Sequence, residues 1–285
     1  MNLLDHLNTP LAVQLIETFA HFLWQGVLIL AVAELLGLLL KRASSHIRYA
    51  LFLGSFLLMA LAPVATFVWL NPDTPDFEVA PLTESVHPVA ASIEPVMMTE
   101  ETLPAVPATW LDYCPHLALL YLTGVFILTC RVALAFGGGW KLRQSSTPAT
   151  DPNLLATLND LTDRIRLVKA PTLAYCKRVT TPTVVGILRP TILFPFFMMN
   201  GLTPNQVEMI LLHELAHIKR YDPWVNLFQR LIEALLFFHP AVWWLSHRVR
   251  IEREKCCDDY VVSMGAERFS YAKTLVEAAE LRNEN

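Results

Sequence analysis

His213-Glu214-Leu215-Ala216-His217, inside the run from Leu211 to Lys219, is the stretch whose reading decides the kind of fold this chain adopts. On an α-helix, residues four apart share a face, so the imidazoles of His213 and His217 can grip one cation. Glu214 then addresses the coordination position that the protein ligands leave open. Two neutral histidines, with a carboxylate that takes a proton from water at that position, form the H-E-x-x-H arrangement of zinc metallopeptidases. Five letters also occur by chance, so the flanks have to support the reading. Thr203-Pro204-Asn205-Gln206 offers an N-cap threonine, a proline at the first helical position and a glutamine at the capping-box position. Val207, Ile210, Leu211, Leu215 and Ile218 recur at helical spacing, and Asp222-Pro223 reads as the stop. The plainer alternative is an amphipathic helix with two histidines on its polar side.

A chain of 285 residues can hold one large domain or two small ones. With 54% hydrophobic and only 17% charged residues, it is too oily for an ordinary soluble domain. A net charge of −4 provides no basic field for nucleic acid. Three apolar runs are long enough to cross about 30 Å of hydrocarbon. They are Phe19 to Leu40, closed by Lys41-Arg42; Ala50 to Leu70, after Arg48; and His116 to Phe136, followed by Lys141 and Arg143. No Lys or Arg precedes the first run and no small-residue cleavage site follows it, which argues against a cleaved leader. Between Arg48 and Arg131 there is no Lys or Arg, and the charged residues of 71–112 are all Asp or Glu, amid Pro, Thr and Val. The positive-inside rule therefore predicts an extracytoplasmic N-terminus, a cytosolic turn at Lys41 to Arg48, an extracytoplasmic loop at 71–112 and a cytosolic metal helix. Glu34 and Arg131 lie within the apolar runs, and a pair between the first and third spans would relieve both; separate snorkelling is the alternative.

Gly137-Gly138-Gly139 reads as a flexible exit from the third span and Thr147 to Asp151 as a polar linker. Asp151-Pro152 opens a helix with Leu154, Leu155, Leu158, Leu161 and Ile165 on one face. Short β-type runs follow at Thr172 to Cys176, Thr183 to Leu188 and Thr191 to Phe194, punctuated by Pro182, Gly186 and Pro190. Proline confines such strands to edges or bulges. An edge strand beside the metal helix could align an extended peptide by strand addition, which makes Val184, Val185 and Gly186 candidates for substrate contact. Trp224 to Leu245 resembles a fourth span, but it contains Arg230, Glu233 and His239-Pro240. A single crossing would also strand any later ligand across the bilayer. It is read as two helices broken at His239-Pro240 that touch the membrane, with Trp243-Trp244 at the interface.

A catalytic zinc needs a third protein ligand. Candidates are His239, His247, Glu252, Glu254, Asp258 and Asp259. Glu254 and Asp258, four apart on a helical face, suit one ligand and one acceptor for the N–H of a ligating histidine. Helical-wheel position does not separate Glu254 from Glu252. The five cysteines form no C-x-x-C pair; Cys256 and Cys257 diverge by about 100° on a helix and read as small buried hydrophobes.

The segment from His213 to Asp222, Phe237-Phe238-His239-Pro240 with Trp243-Trp244, Arg253-Glu254-Lys255-Cys256-Cys257-Asp258-Asp259 and Tyr271-Ala272 together resemble the BlaR/MecR family of membrane metallopeptidases. Thr183 to Pro195 is also similar to that family's stretch before the zinc helix. A more distant resemblance is to membrane zinc proteases of the HtpX kind, whose E-x-x-x-D glutamate ligates zinc. Carried over, these resemblances imply Zn held by His213, His217 and Glu254, with Asp258 behind a ligand and Glu214 as the catalytic base. They imply a mainly α membrane protein of three transmembrane helices plus a cytosolic α+β gluzincin-like zinc metallopeptidase domain with a small sheet. The division expected is 1–145 for the membrane domain and 146–285 for the peptidase domain, in a bacterial-type plasma membrane. The implied substrate is a cytosolic transcriptional repressor, with self-cleavage as a further step. Membrane lipid is the other expected partner, nucleic acid is not, and a homodimer is left open. Sensor members of the family add a further span and an extracytoplasmic penicillin-binding domain. A chain stopping at Asn285 is expected to be a truncated piece or a member with another input, so β-lactam sensing is not expected of it. Alternative functions are a constitutive quality-control protease for membrane proteins and a non-proteolytic sensor or scaffold with structural zinc.

Overall fold

Apolar runs without polar side chains can satisfy their backbone in lipid only as helices. The computed structural model describes residues 10–70 and 113–284, so the acidic stretch predicted as an extracytoplasmic loop lies outside the described residues. Among the described residues, α1 (Pro10–Leu39), α2 (Ser45–Trp69) and α3 (Cys114–Gln144) are long and apolar enough to cross a membrane. Each starts before its apolar run, and α3 also continues past the end of its own. Gly137-Gly138-Gly139 does not form a flexible exit: α3 continues through it to Gln144. An unbroken hydrogen-bond ladder there outweighs the helix cost of glycine, roughly 1 kcal/mol each. Polar contacts tie α1 to α2, with Gln14 Nε2 donating to the Phe67 carbonyl at 2.7 Å and Gln25 Nε2 to Thr66 Oγ1 at 3.1 Å.

The expected linker contributes a short strand, β1 (Thr147–Pro148), and Asp151 then caps α4 (Pro152–Arg164) by accepting from the Asn153 N–H. Strands β2 (Thr172–Cys176), β3 (Thr183–Val185) and β4 (Thr191–Pro195) complete a sheet of order β1-β2-β4-β3. β2 runs parallel to β4, and β3 runs antiparallel to it with Val184 opposite Ile192. β3 is shorter than predicted because Gly186 turns the chain at φ 85°, where a Cβ would stand 2.7 Å from the Arg189 carbonyl oxygen. Only glycine fits there. β4 is buried throughout and joins Leu154, Leu158 and Leu161 of α4 in one core with Leu211 and Leu215.

After α5 (Met198–Gly201) comes α6 (Pro204–Lys219), with the Thr203 N–H donating to Gln206 Oε1 at 2.8 Å as the capping signal predicts. The stop is one step earlier than Asp222-Pro223: Tyr221 adopts the left-handed conformation at φ 59°, and Asp222 and Pro223 open α7 (Asp222–Leu235). α8 (Pro240–Ser263) and α9 (Arg268–Glu284) follow. The greasy segment is thus two helices broken before Pro240, and its packing goes deeper than a surface contact. Ala241, Val242, Leu245 and Val249 of α8 share a core with Phe22 of α1 and Phe52, Phe56 and Met59 of α2.

The hairpin tip lodges between α1 and α3. His239 caps α8 by accepting from the Ala241 N–H, and its Nε2 lies 3.0 Å from the Leu23 carbonyl of α1. Close approach depends on two glycines: a Cβ on Gly26 would meet the His239 ring at 2.7 Å, and one on Gly124 would meet the Phe237 ring at 2.6 Å. At 1.5 Å per residue, Gly26 is about 20 Å from the Leu39 end of α1. The α7–α8 hairpin therefore packs well along the apolar helices and not merely at their ends. Its polar residues pair among themselves there: Glu233 contacts Arg230 at 3.1 Å and Arg250 at 2.9 Å, while Gln229 bonds Ser246 Oγ at 2.9 Å.

The expected Glu34–Arg131 pair does not form. Glu34 instead forms an ion pair with Arg248, Nε at 2.9 Å, and accepts from Trp244 Nε1 at 3.0 Å, both from α8. The hairpin supplies both the cation and the indole donor that Glu34 meets.

Candidate metal centre

α6 presents His213 and His217 one turn apart, their rings 4.9 Å between centroids. α8 returns from the hairpin alongside α6 and brings Glu254 to them. Glu254 Oε2 lies 3.6 Å from His213 Nε2 and 3.4 Å from His217 Nε2. Donors about 2.1 Å from a tetrahedral ion stand roughly 3.4 Å apart, so one oxygen and two nitrogens here are spaced to share a zinc-sized cation. The other carboxylate oxygen, Oε1, faces Arg253 Nε at 3.7 Å. The nearby positive charges hold the Glu254 carboxyl far below the ordinary carboxylate range even though burial opposes this.

Glu252, the alternative that helical geometry left open, points away from the pair. It is 1% exposed and bonded to Arg48 Nε of α2 at 2.8 Å and to Lys255 Nζ at 2.7 Å. Burial alone would raise its pKa, but Lys255 and Arg48 lower it. Two other candidates are engaged elsewhere: His239 at the hairpin tip, and Asp259 with Ser45 Oγ at 2.6 Å.

Each imidazole is oriented through its Nδ1. His213 Nδ1 is 2.9 Å from the Tyr271 hydroxyl of α9 and 3.2 Å from Asp258 Oδ1, and Tyr271 donates to that same Oδ1 at 2.8 Å. Asp258 therefore lies behind His213, with a tyrosine bridging part of the contact. Burial and Asp258 together push the Tyr271 hydroxyl far above its usual range. His217 Nδ1 is 2.8 Å from Asp222 Oδ2 and 3.3 Å from Cys257 Sγ. In both rings Nδ1–H points to an acceptor, which turns the Nε2 lone pair towards the shared point. Without an ion there, burial disfavours the charged imidazoles but the hydrogen bonds win. Asp258 and Glu254 push His213 up to about 9; Asp222, Cys257 and Glu254 push His217 up to about 12.

Sequence reasoning gave no site role to Asp222, read as a helix stop and as the end of a resembling segment, or to Tyr271, quoted only within the family resemblance. Cys257 was read as a buried hydrophobe; it is buried, but its sulfur touches a histidine. His217, Asp222 and Cys257 form a second cluster with donor atoms within 4.8 Å of one another, but two of its three residues are buried. A catalytic ion needs an open position for water, and only the set of His213, His217 and Glu254 lines a cavity with the half-exposed side chain of Glu254 in it.

That cavity, about 1040 Å³, is bordered by His213, Glu214, His217 and Glu254 on one side. Val184, Val185 and Gly186 border it at the sheet edge, and Leu128, Val132 and Phe136 of α3 form another wall. β3 pairs with β4 on one side only. Glu214 is 8% exposed, and burial pushes its carboxyl above the ordinary range despite the two histidines.

A family model described as BlaR1 peptidase M56 matches residues 17–285. The chain is 29% identical over 118 residues to Regulatory protein BlaR1 of Bacillus licheniformis, covering 41% of this chain and 20% of that one. It is 24% identical over 116 residues to Methicillin resistance mecR1 protein of Staphylococcus aureus, covering 40% of this chain and 20% of the other. The alignments thus span about a fifth of the length of these relatives.

Proposed function

Because the chain belongs to the BlaR1 peptidase M56 family, we propose that it is a membrane-embedded zinc metalloendopeptidase of a signal-transduction system. In this reading His213, His217 and Glu254 hold the ion, and Glu214 is the general base. The observation that carries it is the single Glu254 oxygen within 3.6 Å of both Nε2 atoms, on the wall of the cavity that Glu214 also lines.

A zinc ion bound there supplies a Lewis acid that polarises the scissile carbonyl and makes water a better nucleophile at neutral pH. Glu214, its proton affinity raised by burial, takes a proton from the attacking water and passes it to the leaving amine. Asp222, Asp258 and Tyr271 keep both imidazoles aimed, so the ligands need no reorganisation during turnover. The open edge of β3 aligns an extended substrate through backbone hydrogen bonds at Val184 and Val185, with Gly186 leaving room for it. The basic residues from Lys41 to Arg48 and after α3 set the metal centre on the cytosolic side. Its substrate there is a transcriptional repressor, in keeping with a relative named as a regulatory protein, and the chain itself is a second target.

The test is reconstitution of the wild type and Glu214→Gln in lipid vesicles with a cytosolic extract, followed by sequencing of new protein termini and zinc analysis. Glu214→Gln should keep its zinc and lower the cleavage rate by about 10²–10⁴-fold. Equal cleavage by the two proteins would remove Glu214 from the mechanism. One feature favours a second reading, a protease for membrane-inserted chains: the apolar wall of α3 borders the cavity. Many cleaved membrane proteins rather than one regulator would support it.

A further inference from the structure

The charged groups around the cavity are unevenly satisfied. Of the acids lining it, Glu233 is engaged by Arg230 and Arg250, Asp222 by His217 and Arg220, and Glu254 by the two histidines, while Glu214 is buried. Of the arginines, Arg230 is held by Glu233 and Arg253 by Gln229 at 3.2 Å. Arg131 and Arg143 of α3 and Arg282 of α9 also line the cavity, and among the described residues their side chains make no hydrogen bond or ion pair. Arg131 stands on an apolar stretch of α3, about 15 Å along the helix before Lys141 at 1.5 Å per residue. A guanidinium is costly at that depth unless it faces water or an anion.

Resting on the peptidase reading above, we propose that this cavity binds an acidic segment of the substrate polypeptide and that Arg131, Arg143 and Arg282 are the groups that select it. A guanidinium fork matches a carboxylate with two parallel hydrogen bonds, which lysine or a neutral side chain does not reproduce. Low-dielectric walls focus the field of the three unpaired cations, and a divalent ion at the metal centre adds to it. The same cavity is lined by the β3 edge and by the arginines, so a chain aligned in extended form on Val184 and Val185 shares it with them. Phospholipid headgroups offer similar anions, but a headgroup requires neither the strand edge nor the metal centre that line the same cavity. A peptide uses all three.

The experiment measures binding apart from cleavage. Zinc-loaded Glu214→Gln protein in nanodiscs of neutral phosphatidylcholine is titrated with fluorescent decapeptides that differ only in carrying four Asp, four Asn or four Lys at fixed positions. The Asp peptides should bind about a hundredfold more tightly than the Asn peptides at low ionic strength, and the preference should shrink as salt screens it. Arg131→Gln, Arg143→Gln and Arg282→Gln should each lower the Asp-over-Asn ratio by about fivefold. Should a neutral variant fail to fold, Arg131→Glu should shift preference towards the Lys peptides, and the comparison of peptides on otherwise intact protein still decides. Equal binding of Asp and Asn peptides overturns the inference, as does a preference that survives all three substitutions. Loss of peptide binding in phosphatidylglycerol nanodiscs, relieved by the same substitutions, assigns the arginines to headgroups and also overturns it. The peptidase reading fails separately: protein with Glu214 intact that binds Asp peptides selectively but cleaves none removes the catalysis and leaves the groove.

Discussion

Replacing Glu254 by Gln, and separately Glu252 by Gln, should produce two different losses from carboxylates only two residues apart. Glu254 Oε2 stands 3.6 and 3.4 Å from the histidine nitrogens, and its side chain is half exposed to the cavity. Structural zinc sites bind with an apparent 10–16 kcal/mol, so removing one of three protein donors should cost roughly 3 kcal/mol, a little over a hundredfold in Kd. Competition with a chromogenic chelator at fixed pH measures this, and the fold of Glu254→Gln should survive. Glu252 is 1% exposed between Arg48 at 2.8 Å and Lys255 at 2.7 Å. Breaking a buried pair costs about 3–5 kcal/mol; Gln keeps an acceptor and Lys255 reaches water, so about 2–3 kcal/mol of stability should be lost. Denaturant unfolding in detergent reads that loss, and zinc affinity should stay within about threefold. The reverse pattern, with zinc lost from Glu252→Gln and kept by Glu254→Gln, would refute the argument from side-chain direction.

Asp222→Asn should weaken zinc binding by about 10–100-fold while leaving the three donors in place, as the same chelator titration would show. A double-mutant cycle of Glu34→Gln with Arg248→Met should show coupling in thermal unfolding, whereas Glu34→Gln with Arg131→Gln should be additive. Zinc affinity should rise with pH, because the metal-free histidines, pushed up to about 9 and about 12, must release protons on binding; the limit is about two decades per pH unit below 9. In chelated protein the sign reverses: raised pKa values mean that the charged imidazoles stabilise the fold fully below about pH 6.5, the unfolded value. That contribution is lost as pH rises through about 9 and on towards 12, which melting temperatures across that range would follow.

Local periodicity made much of this protein legible in its sequence. The His213–His217 pair needs only the rise and turn of one helix, and the capping residues before it are adjacent in the chain. The three apolar helices follow from run length, and the break before Pro240 follows from proline and from charges that a lone span would not tolerate. Strand edges were legible too, because Pro182 and Gly186 interrupt hydrogen bonding locally.

Tertiary structure alone decided the rest. Glu252 and Glu254 have the same composition and neighbouring helical positions; which one meets α6 depends on the rotation of α8, set by its packing against Phe52, Phe56 and Met59 of α2. The same rotation took Glu34 from Arg131 to Arg248. Asp222 and Tyr271 acquired roles because the left-handed Tyr221 and the arrival of α9 brought them behind the histidines. Short-range hydrogen bonding and burial pattern are written within a few residues, whereas the partner of a charged side chain is set by how whole helices seat against one another.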